Sequence, residues 1–126
     1  MTEEQHHSIV NQYLRVKYPD VIFLTDASGV RMTPGLAKKF SLLKSGKGIP
    51  DIIILEPRGG YHGLMIELKK LGVTIILKDG TFTKNKHIRE QAAILDRLKH
   101  KGYMAVFAVG SNSAIEIIDE YLSYEL

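Results

Sequence analysis

The chain has no cysteine, which excludes a disulfide framework, a thiolate metal site such as a zinc ribbon, and a Cys nucleophile. It has no apolar run of the length that crosses a bilayer, and Met1-Thr2-Glu3-Glu4 opens it without a signal-peptide pattern. A cytoplasmic protein with no membrane partner is therefore expected. Among its five histidines, His6, His7, His62, His87 and His100, no two stand at His-Glu-x-x-His spacing, which argues against a zinc hydrolase. There is no Gly-x-Ser-x-Gly elbow, and Lys44-Ser45-Gly46-Lys47-Gly48 lacks the order of a phosphate-cradling Walker loop. Internal repeats, linkers and low-complexity tracts are missing too. What remains is 126 residues, 44% apolar and 25% charged, expected to form one domain spanning 1–126 with a real core.

Acidic residues are missing from particular stretches. From Ala27 to Pro50 there are Arg31, Lys38, Lys39, Lys44 and Lys47 and no acid, and from Lys69 to Arg89, both included, six basic residues meet only Asp79. The last seventeen residues reverse this, with Glu116, Asp119, Glu120 and Glu125 and no base. The net charge of +3 is modest, but a one-sided basic half fits a polyanion, because phosphate contacts supply most of nucleic-acid affinity. The plain alternative is a solvated Lys-rich surface.

The most informative segment is Gly48-Ile49-Pro50-Asp51, followed sixteen residues after Asp51 by Glu67-Leu68-Lys69. Asp51 opens Ile52-Ile53-Ile54-Leu55, a buried-strand pattern. Pro57-Arg58-Gly59-Gly60 is turn chemistry, and Tyr61 to Lys69 is a second strand run. If these runs form a hairpin folded about Gly59, Asp51 comes opposite Glu67. Two facing carboxylates repel, so the arrangement calls for a cation between them. Hard oxygen ligation of this kind suits Mg2+ or Mn2+. Side chains alternate along a strand, which puts Lys69 on the face of Glu67 and beside a metal-bound water.

Around this pair the pattern predicts a helix from about Glu3 to Lys17, ended by Tyr18-Pro19-Asp20, and a short strand over Val21-Ile22-Phe23-Leu24. A long basic loop from Asp26 to Gly48 follows, with a short helix near Leu36 to Leu43; a loop of this length is expected to be functional or disordered. After the motif strands, Val73 to Leu77 and Thr81 to Thr83 flank Lys78-Asp79-Gly80, a hairpin signal that predicts a small projecting β-ribbon. His87 to Lys101 is the clearest helix, stopped by Gly102. Tyr103 to Val109 is almost wholly apolar and is expected to be a central strand. Ser113-Ala114-Ile115-Glu116 reads as a capping box opening a last helix. The expected fold is α/β, with an αβββαβ core, a mixed sheet flanked by helices, and a hairpin insertion.

Pro50-Asp51 and Glu67-Leu68-Lys69 resemble the PD-(D/E)XK nuclease superfamily, whose restriction-endonuclease-like core has this same element order. Within it, the Gly-x-Pro-Asp form, Gln91 near the start of a helix, and the Gly102-Tyr103 step before a last apolar strand look like the VRR-NUC family, which has small stand-alone members in phages and bacteria. The resemblance runs from about Glu3 to Leu122. It implies a metal-dependent DNA endonuclease in which Asp51, Glu67 and the Leu68 carbonyl hold Mg2+ or Mn2+, Lys69 orients the attacking water, and Arg31, Lys38, Lys39, Lys44 and Lys47 contact DNA. By the same resemblance the substrate is branched DNA such as a four-way (Holliday) junction and the working form a homodimer, acting in the host cytoplasm if phage-encoded.

The family often completes its metal site with a Glu on the first helix, and Glu3 and Glu4 both stand there. At about 100° per residue, Glu3 lies within about 20° of Val10 and Leu14, while Glu4 turns away. Glu3 is the expected ligand, against the plain reading that both acids favour the helix N-terminus. Gln91 falls on the apolar stripe between Ile88 and Leu95 and needs a partner. The resemblance makes that partner Lys69, a metal-bound water or a substrate phosphate and counts Gln91 as catalytic; a buried backbone carbonyl is the structural alternative. His62 is either a substrate contact or an ordinary strand residue. The functional rivals are a catalytically silent nucleic-acid-binding module of the same fold, and a nuclease of other DNA or RNA specificity.

Overall fold

The computed structural model describes residues 1–25, 33–35, 38 and 49–126. Helix α1 spans Glu3–Lys17 and starts from a reciprocal cap: the Thr2 hydroxyl accepts from Gln5 N and the Gln5 side chain accepts from Thr2 N at 2.7 Å. Its Val10 and Leu14 are fully buried and seat the helix on the strand Leu64–Lys69 and the C-terminal helix. Strands β1 (Phe23–Thr25), β2 (Ile52–Ile54), β3 (Leu64–Lys69) and β4 (Met104–Val109) form one sheet in that order, and helices α2 (Lys86–His100) and α3 (Ser111–Ser123) flank β4 in sequence. β1–β2 and β2–β3 are antiparallel and β3–β4 is parallel.

All six residues of β3 are buried because both of its faces are covered. Leu64, Ile66 and Leu68 join Val10, Leu14, Ile118 and Tyr121 in the larger core, while Met65 packs with Leu95 and Ala105 in a smaller one under α2. Glu67 and Lys69 share the parity of Met65, so they stand on the α2 side of the strand.

Three expectations are corrected. Among the described residues β4 pairs only with β3 and lies at the sheet edge, not in its centre. An apolar run reports that both faces are covered, here by α2 and α3, and says nothing about lateral neighbours. The region after β3 keeps its turn, with Gly80 at φ +85° and Leu77 N donating to Thr81 O at 2.8 Å, but the ribbon shrinks to the single bridge Ile76↔Phe82. It does not project freely, since Phe82 lies 6.4 Å from the ring of Phe107 on β4. Helix α3 starts at Ser111 with Gly110 as its cap, two residues before the expected box at Ser113. A tertiary contact replaces the local cap: Ser111 N, an orphan donor of the first turn, donates to His6 Nδ1 at 2.9 Å. The short helix near Leu36 to Leu43 lies, apart from Lys38, outside the described residues. Among the described residues no helix is long and apolar enough to cross a membrane.

Candidate metal centre

The observed β2–β3 register pairs Ile52 with Ile66 and Ile54 with Leu64, so Asp51, one step before β2, stands opposite Glu67. The turn itself is centred half a residue later: Arg58 bridges Tyr61 across Gly59 and Gly60, both at positive φ, 57° and 85°, as a two-residue hairpin loop requires. From the pair Ile54/Leu64 to the pair Arg58/Tyr61 the first strand spends four residues and the second three. The extra residue, in the stretch carrying Pro57, is a bulge, and without it Asp51 would face Leu68 instead.

Asp51 is held where it is by the backbone: Leu68 N donates to its Oδ2 at 2.9 Å. Lys69 O accepts from Gly110 N at 2.7 Å on the β4 side, and strand alternation turns both the N–H and the C=O of Leu68 the other way, toward Asp51. Gln91, on the buried stripe of α2, donates from Nε2 to Glu67 Oε1 at 2.9 Å. Its partner is thus a carboxylate on the facing strand, not Lys69 or a backbone carbonyl. Asp51, Glu67, Lys69 and Gln91 are all buried.

Burial pushes the Glu67 carboxyl up to about 9, the charge of Asp51 adds to this, and Glu3 contributes further, while Lys69 pulls the other way. Without a cation, this cluster cannot hold both of its buried carboxylates ionised near neutrality.

The N-terminus of α1 closes the cluster. Glu3 is half exposed and faces it, whereas Glu4 is exposed. One turn on, His7 is buried, with Nε2 3.8 Å from Asp51 Oδ2 and 4.0 Å from Glu3 Oε1. Among the described residues neither ring nitrogen of His7 has a hydrogen-bond partner, nor does Gln91 Oε1. Glu3, His7 and Asp51 offer three ligand atoms within 4.8 Å of one another. A paired carboxylate, an inward-turned carbonyl and an orphaned buried imidazole are a donor set that fits a divalent cation. Sequence reasoning missed His7 because the histidines were weighed only against each other; the signal was its i,i+4 spacing from Glu3, which puts both on one helix face.

His62 lies before the opposite end of β3 from Glu67. It packs there against Gly102, where an added Cβ would meet its ring at 2.5 Å, and against Tyr103 at 5.7 Å. Lys38 is exposed, and Arg31, Lys39, Lys44 and Lys47 lie outside the described residues.

A helix, three strands, a helix, a strand and a helix, with acids gathered where β2 begins and β3 ends, define a restriction-endonuclease-like α/β fold. No family model and no curated protein matches the sequence. A solved structure described as a VRR_NUC domain protein is similar at 27% identity and a TM-score of 0.66, over 99% of this chain and 91% of that one. That likeness supports assigning the chain to the VRR-NUC family and indicates a nuclease-type domain.

Proposed function

We propose that the protein is a metal-dependent DNA endonuclease that hydrolyses phosphodiester bonds, with branched or four-way-junction DNA as its preferred substrate and a homodimer as its working form. The observation that carries the reading is the buried pair Asp51 and Glu67 set opposite each other beside Lys69. Facing carboxylates in a low-dielectric site are costly without a cation, and burial first, then the charge of Asp51, push the Glu67 carboxyl up to about 9.

Asp51, Glu67, the Leu68 carbonyl and Glu3 would hold Mg2+ or Mn2+. When bound, such an ion supplies Lewis acidity toward a phosphoryl oxygen and a water acidified enough to attack at neutral pH. The remaining work falls to side chains of the chain. Gln91 fixes one oxygen of Glu67, leaving the other free to turn to its task. Lys69, two residues beyond Glu67 on the same strand face, orients the attacking water and offsets negative charge as it builds on the phosphate. Arg31, Lys38, Lys39, Lys44 and Lys47 contact the DNA backbone, which positions the scissile bond without reading sequence.

The test is a cleavage assay on duplex, flap and four-way-junction DNA with no metal, with Mg2+ and with Mn2+. Metal-dependent cutting with preference for the junction is expected. Equal cutting of all three, or cutting in chelator, would overturn the assignment.

A further inference from the structure

His7 has no place in the reading above, yet it is the most conspicuous unsatisfied group in the described structure. It is a buried side chain, 7% exposed, with both ring nitrogens unpartnered. A buried polar atom without a partner costs on the order of 1–3 kcal/mol, so two on one ring call for an occupant. The surroundings say what kind. Nε2 lies 3.8 Å from Asp51 Oδ2 and 4.0 Å from Glu3 Oε1, too far for hydrogen bonds to either. Two donors on one ion at roughly 2.0–2.2 Å each stand about 2.8–3.6 Å apart at octahedral or tetrahedral angles, so both separations come within joint ligation on a shift of a few tenths of an ångström. The donor atoms of Glu3 and Asp51 are within 4.8 Å, and Glu3, at 44% exposed, has the freedom to close the last few tenths of an ångström.

We infer that His7 is a ligand of the metal centre through Nε2, and that this nitrogen donor selects a first-row transition cation such as Mn2+, Co2+ or Zn2+ over Mg2+. The inference rests on the metal-centre reading above and sharpens it from an all-oxygen site to a mixed one. Imidazole suits first-row transition ions, whereas carboxylate, carbonyl and water suit Mg2+. Helix α1 then supplies two ligands one turn apart, Glu3 and His7, to an ion otherwise held by the sheet. The position of His7 is fixed from behind: its neighbour His6 is locked to the start of α3 by its bond from Ser111 N, which sets the rotation of the helix about its axis.

The experiment measures binding of Mg2+, Mn2+ and Co2+ to the full chain by calorimetry, in the wild type and in His7→Gln, whose amide oxygen replaces the nitrogen donor with a hard one. The wild type should bind Co2+ and Mn2+ more tightly than Mg2+. In His7→Gln the Co2+ affinity should drop by roughly tenfold or more, the scale on which even indirect support of a metal ligand is felt, while Mg2+ affinity stays within about threefold. In parallel, long-range 1H–15N spectra of the wild type should show the His7 Nε2 resonance moving on saturation with Zn2+, a readout that needs no variant to fold. An unmoved His7 resonance, or equal Co2+ affinity in the two proteins, overturns the inference while leaving a metal-dependent nuclease in place. A wild type that binds none of these ions, or cuts in chelator, overturns both.

Discussion

Gln91 on α2 holds Glu67 on β3 through a hydrogen bond of 2.9 Å from its Nε2 to Oε1. Both groups are buried, so the bond fixes a carboxylate that has no water shell to orient it. Gln91→Ala should therefore weaken metal affinity by about 10–100-fold, as loss of an outer partner does elsewhere, with the same helical content. Calorimetry and circular dichroism of the variant check both halves.

Asp51→Asn should abolish cleavage, a loss of at least roughly a hundredfold, and yet raise the melting temperature of the metal-free protein. The amide oxygen still accepts the bond from Leu68 N, which in the wild type reaches Oδ2 at 2.9 Å, while the charge that opposes Glu67 is gone. A melting point below that of the wild type in chelator would show that Asp51 acts as a structural acceptor above all.

The raised Glu67 carboxyl makes the metal-free protein sensitive to pH. Unfolded, Glu67 loses its proton near 4.5; folded, it keeps it to about 9. Between those values the folded state binds the extra proton, so stability is greatest at the acid end of the window and falls as pH rises through it. Thermal melts in EDTA from pH 5 to 9 should show this decline, and Glu67→Gln should flatten it. Equal slopes in the two proteins would assign the pH dependence to other groups.

Lys69→Ala separates support of the carboxylates from a direct role in hydrolysis. If the ammonium positions water and stabilises developing charge, metal binding survives and kcat falls by roughly two to three orders of magnitude. Single-turnover cleavage at saturating metal measures it, and full recovery with added metal would reduce Lys69 to an electrostatic prop.

Changing Lys38, Lys39, Lys44 and Lys47 together to Ala should weaken binding to every DNA structure and lower the salt slope by up to about four. An unaltered slope in a salt titration would make that basic stretch a solvated surface.

Much of this was legible in the sequence because period and turn chemistry are local. Asp51 and Glu67 could be set opposite each other by counting about Gly59, although the count succeeds for a fuller reason: the Gly59-Gly60 loop shifts the centre by half a residue and the bulge near Pro57 shifts it back. The position of Glu3 followed from helix geometry alone. What stayed hidden depended on contacts between distant segments. The edge position of β4 is a lateral fact that an apolar run cannot carry, and the start of α3 moved because His6, 105 positions earlier, supplies the acceptor that Ser113 was expected to provide. His7 lay between the two cases, since its spacing from Glu3 was local but its burial against Asp51 was not.

The His6 to Ser111 bond also has a temporal meaning. Glu3 and His7 are synthesised before the rest of the site, but the helix that bears them is seated on α3 and pinned at Ser111, which is synthesised after all of it. Between the synthesis of Lys69 and that of α3, a growing chain therefore carries Asp51, Glu67 and Lys69 without the Ser111 anchor of α1. The cluster is completed only when translation has passed the last strand, so a prematurely terminated product lacking α3 keeps every acid of the site and loses the arrangement that makes them a site.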